Sequence, residues 1–270
     1  MAEKKKKIIF YSAVFLCTAA VIARSLQFFL HTDLQTGRLD SGNTALSVLI
    51  AVFLAGALVL AFFAQAQEGA TALGHRKESF ARVFMFLSAA ALFYDFVRQC
   101  INVYGYLTKN SYVKWNYVIP LALFGALALI CALYFFVIAL FSNNKGYDFT
   151  RINLFHYVPL FWAVFGLLTS LSTLEDLHNV QQAIYKTAAL IFATLFFMVY
   201  AASFSQPKLN KRVVSGLGFS YSFVVAVYAF PELMGLALGV CPFNSVYFAG
   251  TFLLTGAFAF SVSRDMVLEK

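Results

Sequence analysis

Residues 91–105 read ALFYDFVRQCINVYG, an apolar run interrupted by Asp95, Arg98, Gln99 and Asn102. In a soluble protein such a mixture would pass for one face of an amphipathic helix. The rest of the chain changes that reading. Of its 270 residues 61% are hydrophobic and 12% charged, against roughly 45–50% apolar and 25% charged in soluble domains. The polar residues of 91–105 therefore lie where lipid is expected.

A helix needs about 20 apolar residues to cross the hydrocarbon core. Eight windows meet that length, roughly 8–30, 44–66, 82–107, 116–142, 155–177, 181–204, 213–240 and 246–263. The expected fold is all-α, a polytopic bundle of about eight transmembrane helices. The loops between them leave no hydrophilic block large enough to fold alone, so residues 1–270 are expected to form one membrane domain without a soluble one.

Orientation follows from the basic residues, because cytoplasmic loops are enriched in Lys and Arg. With the N-terminus inside, the cytoplasmic segments hold Lys4 to Lys7, then Arg76, Lys77 and Arg82, then Lys145 and Arg151, then Lys208, Lys211 and Arg212, and last Arg264 and Lys270. The opposite loops hold only Arg38, Lys109 and Lys114. Both termini are expected to be cytoplasmic. The net charge of +8 then marks orientation, not nucleic-acid binding. The basic start and the apolar run up to VIA at 21–23 also have the form of a cleaved leader. Apolar residues resume beyond Arg24 with Leu26, Phe28, Phe29 and Leu30, which favours a retained helix. The absence of N-x-S/T acceptor sites agrees with a bacterial cytoplasmic membrane.

Tyr104, Tyr106, Tyr112, Trp115 and Tyr117 cluster around one loop, as residues at the headgroup level do. The even-numbered spans carry similar Phe-rich stretches, VLAFFAQAQ, ALYFFVIALF, ATLFFMVYAA and GAFAFSVSR. The pattern suggests four helical hairpins in parallel repeat. Gly235 and Gly239 are spaced for close helix approach in the seventh span.

Ionisable groups inside a membrane cost about 2.5–3.5 kcal/mol each on insertion scales and usually face a bundle interior or a wet cavity. Here they fall in the outer half: Arg24 lies about 24 Å and Asp95 about 18 Å from the cytoplasmic ends of their spans. Ser88, Asp95, Arg98, Gln99 and Asn102 share one helical face of the third span. Arg24, Gln27 and His31 form a second stripe, and Thr169, Ser172, Thr173 and Asp176 a third. Tyr221, Tyr228 and Glu232 form a fourth, near Pro231, which removes one backbone donor. Lipid partners none of these well, so the stripes are expected to face one another around an outward-opening polar pocket.

The expected ligand-binding residues are Arg24, Asp95, Arg98, Gln99, Asn102, Asp176, Lys186 and Glu232. An arginine would hold an anionic group, and Asp95 or Glu232 an ammonium or a proton. Transport or binding of a small polar or zwitterionic solute is the expected function. The competing expectation is a sensor or assembly factor acting with a protein partner or a second copy. Its charges would form a structural network, with Arg24, Arg98 and Lys186 balancing Asp95, Glu175, Asp176 and Glu232.

Other chemistry finds less support. Glu175, Asp176, His178 and His31 are zinc-compatible side chains, but neither an H-E-x-x-H spacing nor a cysteine pair accompanies them. An acid–base role for His178 lacks a nucleophile, Lys186 lies too near a helix end for a Schiff base, and no phosphate-binding loop is present. Neither catalysis, a metal nor a cofactor is expected. Cys17, Cys100 and Cys131 fall in apolar spans and Cys241 in a loop, which argues against a disulfide framework. His75 and His156, at cytoplasmic boundaries, are expected to be interfacial.

Overall fold

The computed structural model describes residues 2–31, 44–63, 79–109, 115–141, 154–172, 180–205, 211–239 and 243–268. They form α1 (Ala2–His31), α2 (Thr44–Phe63), α3 (Ser79–Lys109), α4 (Trp115–Phe141), α5 (Val158–Ser172), α6 (Val180–Ser205), α7 (Lys211–Ala237) and α8 (Phe243–Leu268), with no strand among the described residues. In lipid a backbone must satisfy its own hydrogen bonds, and a helix does so within one segment. The first seven helices contain stretches long and apolar enough to cross a membrane, which identifies a multi-pass membrane protein by length and composition. The described part of α8 carries Arg264 and Asp265 and is not among them, although the helix is 26 residues long.

Helix order around the bundle follows from the contacts. α3, α4, α5, α6, α7 and α8 each pack on the next, and α8 returns to α3. The α1–α2 hairpin lies outside this circuit, against α7. Covered by α1, α2, α6 and α8, α7 is the most enclosed of the seven apolar helices. The four successive pairs all pack together, but the first occupies a position unlike the other three.

The helices alternate in direction. Arg24 and Gln27 near the end of α1 meet Ser47 near the start of α2, and Arg24 also meets Gln182 near the start of α6. At the opposite end Arg82 of α3 reaches the last turns of α4, its Nε donating to the Ala139 carbonyl at 2.9 Å, and its guanidinium lies 5.8 Å from the Phe86 ring. That bond occupies a carbonyl of the helix terminus, which has no partner within the helix. Arg82→Ala should therefore destabilise the protein by about 1.5–3 kcal/mol, as for a hydrogen bond to a charged group. Thermal unfolding in detergent checks this, with Arg82→Lys recovering only part of the loss.

Aromatic rings fill the space within the circuit. Phe124 stacks on Trp162 at 6.3 Å between centroids, and Trp162 continues to Phe252 at 5.8 Å. Further along, Phe196, Phe197, Phe135, Phe258 and Tyr221 form a second layer. Helices in lipid gain little from hydrophobicity and much from close packing. Interlocked rings supply that packing.

Two expectations about residues near helix ends require correction. His156, expected at the interface, is fully buried: Tyr134 Oη lies 3.0 Å from its Nδ1, and the Phe204 ring stacks on it at 3.7 Å. The 3₁₀ turn at 154–157 folds it between α4 and α6. Gly239 lies beyond α7 and not within it, with φ of 72° and open space in the chain where a side chain would be. Its N–H donates to the Leu236 carbonyl at 3.0 Å, so it closes the helix as a left-handed cap.

Candidate functional site

The polar centre is a directed chain of hydrogen bonds across four helices. Arg24 is 1% exposed, its Nη1 donating to Gln27 Oε1 at 2.7 Å and its Nη2 to Gln182 Oε1 at 3.0 Å. Each glutamine then donates onward through Nε2, Gln27 to Ser47 Oγ at 2.7 Å and Gln182 to Glu232 Oε1. Both amides thus accept from the cation and pass a donor outward. Bonds in such a series polarise and strengthen one another.

The chain joins α2, α1, α6 and α7, and it reaches a carboxylate without a direct ion pair. The Arg24 guanidinium also lies 4.9 Å from the centroid of Tyr185, a cation–π contact. Lys186, the next residue on α6, rests its ammonium 4.9 Å from the Phe248 ring of α8. Arg24, Lys186 and the Tyr228 hydroxyl all act on Glu232. Its second oxygen, Oε2, is buried without a hydrogen-bond partner among the described residues.

Asp95 lies elsewhere. α3 packs chiefly on α4 and α8, so its polar face does not join the stripes of α1 and α7. Asp95 is fully buried, and neither carboxylate oxygen has a hydrogen-bond partner among the described residues. It therefore does not pair with Arg98 on its own helix. Thr251 of α8 is its hydrogen-bonding neighbour, although no bond to either oxygen has full hydrogen-bond geometry. Gln99, one turn on, is 2% exposed and lies against Gly125 of α4.

The eight expected site residues thus separate. Arg24 and Glu232 belong to one network with Lys186 at its edge, while Asp95 and Gln99 belong to the α3 face. Arg98 is half-buried, and Asn102 is exposed. Asp176 lies outside the described residues, as do Glu175 and His178 with the zinc reading that used them. Of the third stripe, Thr169 bonds back to the Gly166 carbonyl. Sequence reasoning missed Gln182, the link between Arg24 and Glu232. Its only signal is the pair Gln181–Gln182 at the start of an otherwise apolar helix.

No known family, curated protein or solved structure matches the chain. The reading of function rests on the site itself.

Proposed function

We propose that the protein is a membrane transporter or solute-binding component that takes a small zwitterionic molecule at the Arg24–Gln182–Glu232 site. The observation that carries this reading is the spacing of the charges: a buried guanidinium and a buried carboxylate are held apart by an amide instead of being paired. A carboxylate of the solute would meet Arg24 or Lys186, and its ammonium would meet Glu232 Oε2. The reading includes α8 as an eighth span, both termini on the cytoplasmic side of a bacterial cell membrane, and a pocket opening outward.

The test is thermal unfolding of the purified protein with a panel of amino acids, small organic acids and amines. A ligand at a hundred times its Kd stabilises by about 2.7 kcal/mol. The expected result is a shift with one or more amino acids that disappears in Glu232→Gln, since the glutamine removes the ammonium's counter-charge. A shift that survives in Glu232→Gln would refute the assigned site.

A structural reading has its own support, because the same bonds tie α1 to α6 and α7. In that case the chain is a sensor or assembly factor, alone or as an oligomer, and its buried charges hold helices together. No compound would then shift the wild type, while loss of Arg24 would still destabilise it.

A further inference from the structure

We propose that Asp95 is a proton-binding site, holding a proton between α3 and α8 at neutral pH. The inference stands apart from the solute site and does not depend on it. An ionised carboxylate only accepts hydrogen bonds, and burying one without partners is prohibitively costly. Both Asp95 oxygens are in that position among the described residues, on a side chain with 0% exposure. A proton from water removes the charge and turns one oxygen into a donor. Thr251 of α8 offers a hydroxyl on that side.

Among the described residues no cation is paired with Asp95. On α3 the charged neighbour is Arg98, half-buried and one turn away, with Tyr94 and Cys100 exposed on other faces. α4 carries no acid or base from Trp115 to Phe141, its described titratable side chains being Cys131 and Tyr134. On α8 the charges are Arg264 and Asp265, paired with each other at 2.9 Å and about 20 Å along the helix from Thr251. Lys186 approaches α8 at Phe248, where its ammonium lies against the ring.

The position gives the proton a structural lever. α8 carries Thr251 beside Asp95 and, one turn earlier, Phe248 beneath Lys186. Charging Asp95 would act on the helix that also seats the edge of the Arg24 network.

Infrared spectroscopy of the protein in lipid nanodiscs at pH 7 tests this directly. Wild-type protein labelled with carboxyl-13C aspartate should show a carboxylic-acid C=O band that shifts with the label and again in D2O. The band should be lost in Asp95→Asn and kept in Glu232→Gln. Asparagine resembles the protonated acid in shape and charge, so Asp95→Asn should unfold within a few degrees of the wild type. The labelled wild type alone decides the matter if the variant does not fold. Absence of an aspartic-acid band at pH 7 would overturn the proposal. So would a band that persists in Asp95→Asn, or one that disappears when sodium or potassium replaces choline at constant pH, since a cation would then occupy the site.

Discussion

Arg24→Ala should cost the protein about 3–5 kcal/mol, the range found when one partner is removed from a buried charge network. The substitution removes the donors on which Gln27 and Gln182 both depend, along with the contact on Tyr185. Among the described residues Glu232 then keeps Lys186 as its neighbouring cation. In detergent the loss should appear as a large fall in melting temperature. Arg24→Lys should recover less than half of it, because an ammonium lacks the planar fork whose two Nη groups reach Gln27 and Gln182 at once. Arg24→Leu combined with Glu232→Gln should be more stable than Arg24→Ala, since it removes the orphaned charge. If the single variant is as stable as the wild type, the network does not hold α1 in place.

Gly218→Leu should prevent the native packing of α7 on α8. A Cβ at position 218 would collide with Ser263 Oγ and would stand 3.0 Å from Phe196 Cε2 and 3.1 Å from the Ala259 carbonyl oxygen. The first obstacle can rotate away, but the carbonyl is backbone. The seam is tight for a further reason: Ser222 Oγ lies 2.6 Å from the Gly218 carbonyl oxygen and 2.8 Å from that of Gly256 on α8, its single proton shared between the two. Small residues permit this approach, and serine hydroxyls link the backbones across it. Gly218→Ala, the mildest case, should cost about 1–3 kcal/mol as overpacking, and Ser263→Ala should restore part of it. Melting temperature and monodispersity during size-exclusion chromatography measure both variants. A Gly218→Leu protein that elutes and melts like the wild type would show that α7 and α8 do not meet at this seam.

The helices could be read from the sequence because crossing a membrane is a local requirement. Apolar length and the need for internal hydrogen bonds place α2 to α7 within a few residues of the expected spans, apart from the end of the fifth span, which lies outside the described residues, while α1 begins earlier than its expected span, at Ala2. Burial of single polar residues was partly legible as well. Ser88, Asp95 and Gln99 recur on one helical face and are buried together, as are Arg24 with Gln27 and Tyr221, Tyr228 with Glu232. Asn102 shares the angular position of Asp95 but is exposed, since periodicity locates a residue around a helix and does not say how far its neighbours extend.

What the sequence determined by itself is therefore a set of membrane-length helices and the faces on which most of their polar residues lie. Which faces meet was decided by the tertiary structure. Helix order around the bundle depends on packing between segments distant in the chain, and α3 packs on α4 and α8 while α1 docks on α7. One anticipated pocket became two separate polar places, Arg24 linked to Glu232 through Gln182, and the α3 face with Asp95 beside Thr251. An amide such as Gln182 shows its role only in this way, because its two hydrogen-bonding ends acquire direction from the partners that the fold brings to them.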